Sequence, residues 1–311
     1  MDREKTGGTP ARTRTVRELR AVPSLLPLYA RAVLPKGGPK GGPKDGPGGG
    51  PRGTVPEREL TVTARADPAR VRRYAEVCGF PAATPLPLTY PHLVAFPLAM
   101  ALMARRDFPH PLLGLVHVAN VVERTRPIGP GEELSYRVRT GAEVPHPKGT
   151  AFEIHAEARD GDTLVWRSTS TYLRRGRPTG PAAGPGPNEA LPRPDHTEHW
   201  RLPGSTGRSY AAVSGDRNPI HLYPLTARLL GFPRAIAHGM WTKARSLAAL
   251  ADVLPEACRA EVRFHSPVLL PAGAEFGHAA RDGGHAFALR SADGTREHLR
   301  GRVSPLGRTG G

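Results

Sequence analysis

The chain repeats itself. Tyr74, Ala75, Val77 and Gly79 are matched at the same spacing by Tyr210, Ala211, Val213 and Gly215, and each group is followed by an apolar helical run and then by alternating segments. In the first copy the helix is expected from about Tyr90-Pro91-His92 to Met103; in the second, Met240 to Leu254 runs free of Gly and Pro until Pro255. Behind the helices lie LVHVANVVER, ELSYRVRTG, TAFEIHAEAR and TLVWRSTSTYL in one copy, and EVRFHS, AEFGHAAR, HAFALRS and EHLRGRVS in the other, cut by Gly, Pro and Asp at hairpin spacing. The stretch Pro127 to Leu134 is paralleled by Pro267 to Phe276 with two extra residues. Helix followed by antiparallel sheet, twice over, predicts an α+β chain built by internal duplication.

The expected layout is two units, 57–175 and 196–305, joined by a Pro/Gly-rich linker at 176–195. An extension, 1–56, precedes them and a tail, 306–311, follows. Within the extension, 1–14 reads as disordered and Pro35 to Gly53 as a flexible tether; Thr15 to Leu34 is expected to pack as one short helix, with no function legible.

The chemistry gathers in the second copy. Between Ser214 and His221, Gly215 permits an unusual φ and Pro219 fixes its own, pushing Asn218 away from helix; such a loop can aim Asp216 and His221 at one point. Gly239 falls at the start of the second apolar helix, where unpaired backbone N–H groups and the helix dipole favour developing negative charge. Lacking a side chain, it lets a carbonyl oxygen come close. The first copy has lost these groups: Phe80 stands where Asp216 would, PAATPLPLTYP supplies no equivalent histidine, and Pro91 has no N–H to donate.

The run SGDRNPIH followed by IAHGM resembles the signature of the MaoC-like (R)-specific hydratases and dehydratases. The wider layout, from about Leu60 to Val303, is similar to that of the actinobacterial two-hotdog 3-hydroxyacyl-thioester dehydratases. That resemblance implies a tandem (double) hotdog, each antiparallel sheet wrapped around a central helix, and an enzyme that reversibly adds water to trans-2-enoyl-CoA or enoyl-carrier-protein thioesters in fatty-acid metabolism. It also implies that Asp216 and His221 hold the catalytic water and that the Gly239 amide binds the thioester carbonyl. The chemistry suits those groups: dehydration needs a base for a weakly acidic α-proton, an acid for the departing hydroxyl, and stabilisation of enolate-like charge. Two other readings share the resemblance, a hotdog acyl-thioesterase and a non-catalytic acyl-thioester binding protein.

Around the pair, Asn218 reads as a loop-stabilising hydrogen bonder, and Tyr210 and Ser214 either orient the pair or serve as a packed tyrosine and a turn serine. His238 with His221 invites a metal reading, but the spacing matches no ligand pattern, so neither metal nor cofactor is expected. Arg217 and Arg234 flank the motif as phosphate contacts or as solvated charge. The run PHLVAFPLAMALM suits either a tunnel wall or plain core.

The formal charge of +16 raises nucleic acid as a partner, yet the arginines are scattered, aromatics amount to 6% of residues, and no nucleic-acid-binding motif interleaves with them. The charge is either a solvated surface or a lure for coenzyme A phosphates or an acidic carrier protein. The two cysteines, Cys78 and Cys258, form no framework, which suits a reducing compartment. No signal peptide or membrane span is expected, so the sequence reads as cytoplasmic, either a monomeric pseudo-dimer or a homodimer.

Overall fold

The computed structural model describes residues 15–33, 55–112, 114–181 and 193–307. The segment expected to be disordered, the Pro/Gly tether, the middle of the linker and the last residues of the tail lie outside them. Among the described residues no helix is long and apolar enough to cross a membrane.

The first unit runs β2 (Arg58–Arg65), α2 (Pro68–Cys78), α3 (His92–Met103), β3 (Leu115–Arg124), β4 (Glu133–His146), β5 (Gly149–Asp160) and β6 (Thr163–Arg175). The second runs β7 (His196–Leu202), α4 (Thr206–Ser214), α5 (Pro224–Leu229), α6 (Gly239–Ala249), β8 (Cys258–Phe264), β9 (Ala272–Arg281), β10 (Gly284–Ser291) and β11 (Glu297–Pro305). Ahead of both stand β1 (Thr15–Glu18) and α1 (Leu25–Val33).

Among the described residues, eleven strands form one sheet in the order β1-β2-β4-β5-β6-β3-β8-β11-β10-β9-β7. Leaving β1 aside, the order on one side of the β3–β8 seam is the mirror of the order on the other. The strand pattern therefore repeats the sequence duplication, and the architecture is a double hotdog. Alternation sets the faces: along β5, Phe152, Ile154, Ala156 and Ala158 point into the core while Glu153, His155 and Glu157 are partly exposed. Helix α3 is apolar around its whole circumference, and only Phe96 and Ala101 escape full burial. It packs against β2, β4 and β5, as α6 does against β10.

The seam is antiparallel, with Ala119 opposite Arg263 and Arg124 opposite Cys258. It is pinned from within by Lys243 of α6, which is fully buried. Its Nζ donates to the Asn120 side-chain oxygen at 2.6 Å, to the Asn120 carbonyl at 3.2 Å and to the Ala260 carbonyl at 2.9 Å. The Asn120 amide in turn donates to Ser168 and Ser170.

Two expectations are corrected. Thr15 to Leu34 is not one helix: Thr15–Glu18 pairs in parallel with β2, Val16 opposite Glu59, and the helix begins only at Leu25. The β-branched start of the segment finds an open sheet edge, and Pro23 separates strand from helix, whereas Pro27 falls in the first turn, where no N–H is needed. The second apolar helix ends at Ala249 rather than Leu254. Leu250 leaves helical geometry (φ −101°, ψ 9°) and the chain tightens into a 3-10 turn, Ala251–Val253, whose Asp252 and Val253 face solvent.

Candidate active site

Helix α4 delivers the loop from Ser214 to His221. Its C-terminal carbonyls are capped from the other unit: Arg70 of α2 donates to the Val213 and Ser214 carbonyls at 2.8 and 3.1 Å. Gly215 takes the left-handed conformation (φ +82°) that ends the helix, as Gly79 (φ +77°) ends α2. The echoed tyrosines Tyr74 and Tyr210 meet with ring centroids 6.1 Å apart. Ser214 reaches in both directions, its hydroxyl donating to the Tyr210 carbonyl at 2.8 Å and accepting the Asp216 N–H at 3.1 Å.

Beyond Gly215 the chain is held by its own side chains. Asp216 Oδ1 accepts the Asn218 N–H at 3.2 Å, and Asn218 Oδ1 accepts the Ile220 N–H at 3.4 Å, starting the 3-10 turn Pro219–His221. Gly207 of α4 lies directly under this turn; a Cβ there would sit 2.0 Å from the His221 carbonyl oxygen. The His221 ring is buried. Its Nδ1 lies 2.8 Å from the Ile236 carbonyl, which can only accept, so the ring carries its proton on Nδ1 and leaves Nε2 as a bare lone pair.

His238 is the N-cap residue of α6 and Gly239 its first helical residue. The His238 ring stacks on that of His221 at 3.7 Å, and its Nε2 donates to the Asp216 carbonyl at 3.0 Å. Its Nδ1 is buried with no hydrogen-bond partner. Tyr210 closes the far side, 4.9 Å from the His238 ring.

Burial sets the electrostatics. It would by itself raise the Asp216 pKa, but the neighbouring imidazoles of His238 and His221 and the hydrogen bonds to the carboxylate outweigh it and hold that pKa below the usual value of 3.8. Burial lowers His221 below 6.5, and drives His238 to about 3 with the help of the His221 charge. At neutral pH the loop therefore presents a carboxylate beside two neutral imidazoles.

Asp216, His221 and Gly239 all line one cavity of about 660 Å³, together with Asn218, Ser214, Tyr210 and His238. Arg217 is exposed and does not line it, and Arg234 is turned away, donating to the Pro271 carbonyl. The opposite wall comes from the first unit: Leu93, Phe96, Met100 and Met103 of α3, with His92, His117, Thr171 and Tyr172. Burial pushes His92 down to about 4 and His117 to about 3, so this wall too is uncharged near neutrality. Ligand atoms of Asp216, His221 and His238 lie within 4.8 Å of one another, a set able to hold a metal ion. Two of the four ring nitrogens already serve backbone carbonyls, however.

Sequence reasoning missed one residue at the centre of the site. The Tyr29 hydroxyl, on α1, donates to Asp216 Oδ1 across 187 residues of chain. No local pattern marks it, because the contact exists only once the extension has laid itself along β2. The polar members of the far wall, His117 and Thr171, were likewise invisible within ordinary strand alternation.

The MaoC-like domain family matches residues 193–285. A 3-hydroxyacyl-thioester dehydratase X of Mycobacterium tuberculosis is 37% identical over 254 residues, covering 81% of this chain and 91% of that protein. The crystal structure of HtdX from the same organism superposes with a TM-score of 0.69 at 36% identity, over 79% of this chain and all of that one. A MaoC-like dehydratase from Phytophthora capsici, 20% identical, shares the fold with a TM-score of 0.67 over 82% of this chain and 96% of its own.

Proposed function

The chain belongs to the MaoC-like dehydratase family, and from that premise we propose that it is a 3-hydroxyacyl-thioester dehydratase and enoyl-thioester hydratase, with Asp216, His221 and Gly239 as its catalytic groups. The observation that carries the residue roles is the convergence of a carboxylate, an imidazole with a bare Nε2 and a helix-initial glycine on one cavity.

In the dehydration direction the thioester oxygen sits at the N-terminus of α6, where the Gly239 amide and the helix dipole stabilise enolate-like charge. His221 takes the α-proton through Nε2. The β-hydroxyl lies against Asp216, and the proton, relayed within the Asp216–His221 pair, leaves with that hydroxyl as water while the C–O bond breaks and the C=C bond forms. No net proton is exchanged with solvent. In reverse, water donates to both acceptors, its oxygen attacks the β-carbon, and the same proton returns to the α-carbon. The apolar wall of α3 accommodates the acyl chain, and Asn218, Ser214, Tyr210 and His238 hold the loop and helix start in register. We assign the catalytic unit to 196–305 and the degenerate unit to 57–175.

The test is hydration of crotonyl-CoA by the purified full-length protein, followed as loss of the enoyl-thioester absorbance. Asp216→Asn and His221→Ala are expected to lower kcat/KM by about 10² to 10⁴-fold. Gly239→Ala, whose new methyl would meet the Phe264 ring at 3.3 Å, should reduce it as well. Loss of the absorbance with stoichiometric release of free thiol would point to a thioesterase, and wild-type rates in the Asp216 and His221 variants would overturn their roles.

A further inference from the structure

We infer that the N-terminal extension is part of the active site, with Tyr29 as the positioning residue for the Asp216 carboxylate. The inference rests on the proposed role of Asp216. Three contacts carry it. The Tyr29 hydroxyl donates to Asp216 Oδ1, the same oxygen that accepts the Asn218 N–H at 3.2 Å. One turn earlier on α1, Leu25 packs on the loop's hinge: its Cδ1 lies 2.8 Å from where a Gly215 side chain would begin. The helix is itself anchored by β1 and by the Leu19 N–H, which donates to the Thr61 carbonyl at 2.8 Å.

The chemical consequence follows from counting donors. Oδ1 receives two hydrogen bonds, from Tyr29 and from the Asn218 amide, which fixes rotation about the Cβ–Cγ bond and leaves Oδ2, with the His238 Nε2 3.8 Å away, as the oxygen placed to meet a water or β-hydroxyl. Tyr29 lines the cavity and touches the carboxylate rather than the reacting carbon atoms. Burial and the adjacent Asp216 charge push its own pKa far up, so it stays a donor at every pH at which the protein works. The rest of the loop is held by its own side chains and by the two hotdog units, through Arg70, Ile236 and His238; this clamp comes from a segment that belongs to neither unit.

The experiment is Tyr29→Phe in the full-length chain, which keeps the ring and removes the donor. Expected is a fall in kcat of about tenfold, the loss of roughly one charge-assisted hydrogen bond, with KM changed by less than about twofold. The acid limb of the kcat/KM profile should move to higher pH, because the Tyr29 bond is one of the interactions that lower the Asp216 pKa. A ¹³C-carboxyl NMR titration of Asp216 should show the same upward movement whether or not turnover is measured. An unchanged titration with unchanged kcat overturns the inference, as does a faster variant, which would make the phenol an obstruction. If the wild-type protein hydrates no enoyl thioester, the proposed function falls, and the Asp216 titration still decides the positioning role.

Discussion

The Nδ1 atom of His221 lies 2.8 Å from the carbonyl oxygen of Ile236. That contact joins the loop carrying Asp216 and His221 to the strand-like approach to α6, where the Ile236 N–H also bonds the Ile220 carbonyl at 3.0 Å. It fixes which nitrogen of the ring can accept a proton.

This contact bears on pH dependence. Both Asp216 and His221 are held below their ordinary pKa values, so the carboxylate and the neutral imidazole persist into mildly acid solution. Activity is lost only as the pH falls through those lowered values. The midpoint of the acid limb of the kcat/KM profile for hydration is expected below 6.5, the usual value for histidine. A profile already half lost at pH 6.5 would mean that His221 is solvated.

Gly207 supports the loop by having no side chain. A methyl group there would meet the His221 carbonyl oxygen at 2.0 Å and its carbon at 3.0 Å, backbone against backbone, so the 3-10 turn must shift. Gly207→Ala is predicted to lower kcat/KM by about 10²-fold, as displacements near an ångström do, and to lower the melting temperature. Steady-state kinetics and thermal unfolding of the variant would check both.

The spacing of Tyr74 and Gly79 against Tyr210 and Gly215 exposed the duplication because left-handed helix caps and buried tyrosines leave local marks. Gly239 was placed at a helix start because the apolar run after His238 has a clear beginning; its end at Ala249 was not, since nothing in LADVL announces a 3-10 turn. β1 was missed because four residues gain strand structure only from a neighbour's open edge. Tyr29 was missed for the same reason at greater distance. Periodicity reports which face of an element is buried, not which distant side chain will lie against it.

Lys243 is predicted to stabilise the seam. Burial pushes its pKa well down, and its Nζ lies 2.6–3.2 Å from three oxygens. Lys243→Met fills similar space but strands the Asn120 side-chain oxygen. A loss of about 2 kcal/mol or more is expected, read as a lower urea midpoint at unchanged m-value. A variant as stable as the parent would show that the lysine is dispensable there.

Acid should destabilise the fold well before its carboxylates protonate. His92 and His238, 8% and 2% exposed, have folded-state values of about 4 and about 3 against 6.5 in the unfolded chain. Below 6.5 the unfolded state binds protons that the folded state refuses, so stability present above that pH drains away toward about pH 4. The slope contributed by each histidine approaches about 1.4 kcal/mol per pH unit. Denaturant titrations at pH 7 and 4.5 would measure it, and His92→Leu should flatten the slope by about one proton.

The paired helices α3 and α6 begin with different residues, His92 in one and Gly239 in the other. In a homodimer of single hotdogs, every replacement appears in both subunits, so a bulky imidazole at one helix start would block the other as well. Fusing the copies into one polypeptide lifts that constraint. One side can keep a helix start without a side chain, while its counterpart is free to be remodelled for the shape of whatever fills the remaining space.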